Sequence, residues 1–416
     1  MVLSKLVLSI VSLLFVSMAP GVAFANDYRF CFKYANTTVD GNVGEDYYKT
    51  SNRWKARGAK IKVYRHTGAS SQIVYDGYAG RSSGCRNITT PVSGGQESFS
   101  ILMYPQARVH RLSSGNYVYV KAKSPNVSEQ QAWVTHTQAL SPGTTWGVNS
   151  APSAVARLMA VADFAVYRWF REDTGFPANE GFTVWMENDN CQNASNQNYA
   201  CASASTVWVP TLELRTRRKF LIGHEIGHLM YQKFYGAAGY PWRCEGDASE
   251  YAKCKFHGPA ASQSHALQMK VPNSCALSEG FAHFFSTDVF NAHSSTAYFD
   301  YYKETYPGKV NVETGPTGGA TAYMENECAS ADDGWSTELD WLRVFWAYHT
   351  DSQTNGSKPS HGVIVEHMKD AHNLMNSQTS PDRYYNAYEA MMDSGSSTSA
   401  RRARFQNRAE RNGADH

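Results

Sequence analysis

A short segment, from Phe220 to Met230, constrains the folding of this chain more than any other part of its sequence. It reads F-L-I-G-H-E-I-G-H-L-M, so His224, Glu225 and His228 interrupt an otherwise apolar run. Such a run predicts a buried helix, and burying His and Glu side chains without partners is costly. The fold therefore has to bring polar groups or a cation to these three side chains.

The spacing of the two histidines suits a metal ion. Four residues correspond to about 400° of helical rotation, so His224 and His228 lie about 40° apart on one face and one turn apart. Both imidazoles can then reach one tetrahedral ion at roughly 2.0–2.1 Å. Glu225 is rotated by about 100°, beside the metal, where it can accept a proton from the attacking water. The motif therefore predicts one catalytic zinc ion, with Glu225 as the general base.

Gly227 lies in the middle of the predicted helix, where glycine costs about 1 kcal/mol relative to alanine. A glycine here indicates that another backbone, or a substrate, approaches the helix closely. The alternative is that the motif arises by chance and that its histidines are ordinary polar residues. The apolar flanks and Gly227 argue against that alternative.

A catalytic zinc site has three protein ligands and one open position, so a third ligand is required. The residues three and six positions after His228 are Tyr231 and Phe234, which excludes the metzincin pattern. Glu279, in L-S-E-G-F-A-H-F-F, lies on a second predicted helix whose other faces are apolar, and a carboxylate there needs a cation partner. Glu279 is the predicted third ligand; the alternative is an ordinary glutamate that interacts with the helix dipole.

The segments His224-Glu225-x-x-His228 and Glu279-Gly280-Phe281-Ala282 resemble the gluzincins, the thermolysin and M1-aminopeptidase type of zinc peptidase. The resemblance covers about Arg217 to Asn291. It implies that His224, His228 and Glu279 bind zinc, that Glu225 is the base, and that the substrate is a peptide or protein.

The chain also departs from that family. The aminopeptidase motif G-A-M-E-N is absent, so no aminopeptidase activity is assigned. An Asp that orients a metal-binding His in thermolysin-type enzymes is replaced by His283, and Asp340 is a candidate for that role. The segment from Ala202 to Val209 predicts either an edge strand that pairs with substrate or an ordinary core strand. Four residues remain open as the group that stabilises the oxyanion: Tyr323, Tyr348, His349 and His361.

The first residues predict a secretory signal peptide. Lys5 precedes an apolar run, and Ala23-Phe24-Ala25 fits a cleavage site before Asn26. No later run is long enough to span a membrane, so we expect no membrane span in the mature form. We therefore predict a secreted, extracellular protein, or a periplasmic one in a bacterium. Eight cysteines suit an oxidising compartment, and proximity suggests the pairs Cys31–Cys85, Cys191–Cys201, Cys244–Cys254 and Cys275–Cys328.

Alternating apolar residues predict strands from Asn26 to about Leu140, and helical periodicity begins near Pro152. We therefore expect an α+β protein with a signal peptide at 1–25, a β-sandwich accessory domain at 26–145 and a mostly helical, zincin-like catalytic domain at 146–416. The two metal helices are predicted at about Thr216 to Tyr235 and Cys275 to Phe290.

A formal net charge of +2 gives no reason to expect nucleic acid as a partner. The oligomeric state stays open. The sequence predicts a secreted zinc metallopeptidase that hydrolyses peptide bonds. Two alternatives remain: a secreted binding protein on a degenerate peptidase fold, and a zinc hydrolase that acts on another amide or ester.

Overall fold

The structure of the protein is a computed structural model. It describes residues 25–35, 53–92, 96–123, 132–134, 138–171, 181–189, 191–192, 198–203, 205–210, 219–235, 271–291, 298–299, 310–311, 315–316, 335–336, 338–350 and 359–365. The predicted signal peptide before Ala25, the predicted Cys244–Cys254 pair and Tyr323 lie outside these residues, as does Cys328.

The described part of the chain contains four long helices and a larger number of strands. The helices are α1 (Ala154–Arg171), α2 (Lys219–Tyr235), α3 (Asn273–Phe290) and α4 (Glu338–Thr350). The strands are β1 (Ala25–Ala35), β2 (Arg53–Lys55), β3 (Ala59–Thr67), β4 (Ser70–Tyr78), β5 (Cys85–Pro91), β6 (Glu97–Arg111), β7 (Tyr117–Lys123), β8 (Trp133–Val134), β9 (Gln138–Leu140), β10 (Thr145–Asn149), β11 (Phe182–Glu187), β12 (Cys191–Gln192), β13 (Asn198–Tyr199), β14 (Cys201–Ala202), β15 (Thr206–Trp208), β16 (Val271–Pro272), β17 (Tyr298–Phe299), β18 (Val310–Asn311), β19 (Gly315–Pro316) and β20 (Trp335–Ser336).

A four-stranded sheet surrounds β1, which runs parallel to β10 and antiparallel to β2 and β5. Its apolar residues alternate along the strand, as expected when one face of a sheet is buried. The rings of Tyr28 and Phe30 contact Phe99 of β6, so this sheet packs face to face on the larger one. The predicted Cys31–Cys85 disulfide is present and joins paired residues of β1 and β5.

The larger sheet has nine strands and the order β14-β15-β11-β7-β6-β3-β4, with β8 and β9 also paired to β6. β7 and β11 are parallel neighbours, and the chain between them includes α1. β11 is also parallel to β15, while β14 closes this end of the sheet as an antiparallel strand. The predicted Cys191–Cys201 disulfide joins β12 to β14. Strands from both sides of the predicted boundary at residues 145 and 146 therefore belong to one sheet.

Helix α1 lies between this sheet and the helices of the site. It contacts β6 and β7 on one side and α2 and α3 on the other. The sequence shows one apolar stripe on this helix, but nearly every residue is buried, including Arg157, Asp163 and Arg168. A helix covered on two sides has no solvated face, so α1 connects the sheet to α2 and α3.

The expectation of a mostly helical, zincin-like domain behind an N-terminal β-sandwich is wrong. Strands account for 43% of the described structure and helices for 36%, so this part of the chain is mostly β, with large sheets and few helices. The sequence predicted a strand in the region of β15, but not that β15 and β11 extend the sheet formed by β7 and β6. The domain division itself stays a prediction.

The two disulfides are compatible with an extracellular location. Among the described helices, none combines the length and the apolar character needed to cross a membrane.

Candidate metal centre

Helices α2 and α3 approach each other at their backbones, and two glycines of α2 make this possible. A Cβ atom at Gly227 would lie 2.7 Å from the Cα atom of Ala282. A Cβ atom at Gly223, one turn earlier, would lie 2.9 Å from the Cβ atom of Ser286. Any larger residue would push the helices apart. The mid-helix Gly227 is therefore explained by the close approach of another backbone.

This packing brings together the three predicted ligands. The Nε2 atoms of His224 and His228 are 3.0 Å apart. The Oε2 atom of Glu279 is 3.0 Å from the first and 3.3 Å from the second. Ligands about 2.0–2.1 Å from a tetrahedral zinc ion are separated by roughly 3.3 Å. These three atoms form a triangle whose spacing and donor types fit a metal ion.

The triangle is buried on the side of His224 and opens on the side of His228. The His224 side chain is 2% exposed, whereas those of His228 and Glu279 are 16% and 10% exposed. Glu225, the predicted base, follows His224 on α2 and is 5% exposed. The opening of the triangle is therefore on the side of His228.

The two histidines have opposite electrostatic environments. Burial lowers the pKa of His224 well below its usual value, and the neighbouring His283 and His228 lower it further. Burial also opposes the charged form of His228, but the Glu279 and Glu225 carboxylates outweigh it and raise the pKa of His228 to about 9. A metal ion that binds His228 therefore has to displace a proton at neutral pH.

A chain of hydrogen bonds behind His224 sets its tautomer. Nε2 of His283 lies 2.9 Å from the Oε2 atom of Glu338, which is fully buried in α4. When Glu338 is ionised and the ring of His283 is neutral, His283 donates from Nε2 to the carboxylate and accepts at Nδ1. Nδ1 of His224 lies 3.2 Å from that Nδ1, and in this protonation state it donates to it. The lone pair of His224 is then on Nε2, the atom that faces Glu279.

The ring of His228 is oriented by a single, longer contact. The Oγ atom of Ser278 lies 3.3 Å from Nδ1 of His228. Because a hydroxyl group donates as well as accepts, Ser278 orients the ring but does not select one tautomer.

Glu338 was missed in the sequence, where Asp340 is the candidate for orienting a metal-binding histidine. Both residues begin α4 and are buried, but the carboxylate that contacts His283 is that of Glu338. The sequence feature that could have indicated Glu338 is its position as an acidic residue at the start of a helix of large apolar residues. The start of α4 packs closely on α3, since a Cβ atom at Gly280 would lie 2.9 Å from the carbonyl oxygen of Glu338.

Two groups of buried side chains can hold a metal ion in the described structure. One contains His224, Glu279 and His283, and the other contains Asp288, His349 and His361; in each group three potential ligand atoms lie within 4.8 Å of one another. In the first group, His228 completes the set better than His283, because both nitrogens of His283 already face His224 and Glu338. Two of the open candidates for oxyanion stabilisation, His349 and His361, belong to the second group.

No protein-family model matches the chain, and no curated protein matches it in sequence.

Proposed function

We propose that the protein is a secreted zinc metallopeptidase of the gluzincin type. The observation that carries the proposal is the triangle of His224 Nε2, His228 Nε2 and Glu279 Oε2, with separations of 3.0–3.3 Å. Two imidazoles and one carboxylate, next to a glutamate on the same helix, are the donor set of catalytic zinc in peptidases. The resemblance of both helices to gluzincin motifs supports the same assignment.

In this proposal His224, His228 and Glu279 would hold the ion. Zinc held by these residues would supply Lewis-acid chemistry, lowering the pKa of a bound water and polarising a carbonyl group. Glu225 accepts the proton of the attacking water and returns it to the leaving amine. Glu338 and His283 keep the Nε2 lone pair of His224 directed at the site.

The end of the larger sheet favours a peptide among the possible substrates. β14 is the terminal strand on this side, and both β14 and β15 contact α2. An extended peptide can add to such an edge through main-chain hydrogen bonds. The segment from Ala202 to Val209 therefore contributes to two strands. β15 lies inside the sheet, and β14 is the strand with the open edge among the described residues.

The test is peptide-bond cleavage by metal-free protein to which zinc is returned. New amino groups are measured with unfolded casein as substrate, for the wild type and for Glu279→Gln. Asp76→Asn is the control, because it makes the same carboxylate-to-amide change on β4, at the opposite end of the sheet. We expect the wild type and the control to regain activity with zinc and Glu279→Gln to remain inactive.

Cleavage that is equal without zinc, or equal in Glu279→Gln, would overturn the proposal. Zinc binding by the wild type without release of amino groups would also overturn it, in favour of a binding protein. Hydrolysis of simple esters or non-peptide amides, with casein left intact, would favour the other zinc hydrolase.

A further inference from the structure

The second group, Asp288, His349 and His361, is more deeply buried than the first. The exposed fractions of these residues are 0%, 4% and 0%. Nε2 of His361 lies 2.9 Å from Oδ2 of Asp288, and Nε2 of His349 lies 3.4 Å from Oδ1. Two imidazoles therefore face the two oxygens of one buried carboxylate.

The other nitrogen of each ring is committed to the backbone. Nδ1 of His349 lies 2.8 Å from the carbonyl oxygen of Pro359, and Nδ1 of His361 lies 2.8 Å from that of Trp169. A carbonyl oxygen only accepts hydrogen bonds, so both Nδ1 atoms carry a proton. When such a ring carries no second proton, its lone pair is on Nε2, directed at the carboxylate.

Two such lone pairs that converge on a carboxylate require a positive charge between them, either a metal ion or a proton. Metal-binding histidines in proteins usually donate their other ring N–H to a backbone carbonyl or a carboxylate, and both rings here do so. Because the two rings face different oxygens, a bidentate Asp288 and two imidazoles offer four contacts, the number that structural zinc takes.

The ligands come from separate elements that the cluster holds together. Asp288 is on α3, His349 is near the end of α4, and His361 begins the helical residues 361–365. The ring of His361 stacks on Trp169 of α1, with 3.8 Å between the ring centroids. A metal ion at this point would join α1, α3, α4 and the segment after α4.

We propose that Asp288, His349 and His361 form a second site, for a structural divalent metal ion of the zinc type. The burial of all three ligands leaves no access for a substrate, so this ion stabilises the helical layer and takes no part in the reaction. The alternative occupant is one or more protons shared within the cluster.

The test is a zinc count on the full mature chain, stripped of metal, reloaded with zinc and freed of excess. The variants are Asp288→Asn for the second site and Glu279→Gln for the first. Asp163→Asn is the control, because Asp163 is a fully buried carboxylate on α1 outside both groups. We expect two zinc ions in the wild type and the control, one in each single variant and none in the double variant.

X-ray absorption at the zinc edge keeps the test decisive if Asp288→Asn does not fold. In Glu279→Gln, the one remaining zinc is expected to show two imidazole ligands and a carboxylate. One zinc in the wild type and none in Glu279→Gln would overturn the second site and leave the proposed function intact. One zinc that Glu279→Gln retains and Asp288→Asn loses would support the second site and count against the first.

Discussion

Helix α3 carries a carboxylate at each of two histidine clusters. Glu279 faces His224 and His228, and Asp288 faces His349 and His361. The carboxylates are separated by about two and a half turns, or roughly 13.5 Å along the axis, which places them on opposite faces of the helix. The same side-chain chemistry therefore occurs twice, between different pairs of elements.

The clusters differ in access and in the groups that orient the histidines. The first cluster opens at His228, whose side chain is 16% exposed, and Glu225 is adjacent on the same helix. Its rings are oriented by side chains, those of His283 and Ser278. The rings of the second cluster are buried and oriented by backbone carbonyls. Under the proposed function, the opening and the nearby Glu225 are what would make the first cluster reactive and leave the second one structural.

Glu225→Gln should separate catalysis from metal binding most strongly. The amide cannot accept the proton of the attacking water, so we expect kcat to fall by about 10²–10⁴, with the zinc count unchanged. The measurement is steady-state cleavage of a peptide together with zinc analysis, and Asp76→Asn is the control. A variant that keeps its kcat would remove the functional difference between the clusters.

Glu338→Gln tests whether side chains behind His224 set the zinc affinity of the first cluster. Without the negative charge, His283 is no longer held as a donor at Nε2, and the tautomer of His224 is less well defined. We expect zinc affinity to fall by about 10–100-fold, as measured by competition with a chromophoric chelator. The second cluster should keep its zinc, so loss of both ions would mean that Glu338 acts on the fold instead.

The first cluster should also bind zinc more tightly as the pH rises. The pKa of His228 in the metal-free protein is raised to about 9, so zinc displaces one proton from it throughout the neutral range. Apparent affinity should therefore rise by about tenfold per pH unit between pH 6 and 8. The measurement is the same competition, corrected for protonation of the chelator. A flat profile would show that His228 is already neutral in the metal-free protein.

The sequence predicted those parts of the fold and of the site that depend on local spacing. The helices predicted to end at Tyr235 and Phe290 end there, and the histidine spacing anticipated the approach of His224 and His228. The pairing of β11 with β7 depends on tertiary contacts and was missed. It is the reason why the helical catalytic domain was the wrong expectation.

The second cluster depends on elements that are distant in the sequence, so no spacing rule indicates it. One signal was nevertheless present. Asp288 lies in F-S-T-D-V-F, an apolar helical context like that of Glu279, and a buried carboxylate there also needs a cation partner. Its partners follow from how α4 and residues 359–365 pack against α3, which the sequence alone does not define.

Ser278→Ala should have the smallest effect. It tests directly whether a side chain orients a histidine ring of the first cluster, as backbone carbonyls do in the second. The hydroxyl contacts His228 at 3.3 Å, and the loss of one neutral hydrogen bond is worth about 0.5–1 kcal/mol. We expect a two- to fivefold loss of zinc affinity at the first cluster, measured by chelator competition at one pH. The second cluster has no equivalent variant, because no substitution removes the carbonyl groups that orient its rings.

Ser286→Ala is the control for Ser278→Ala, since Ser286 on the same helix donates to the carbonyl oxygen of His283. Equal losses of zinc affinity in both serine variants would show that helix stability, and not the contact with His228, determines the affinity.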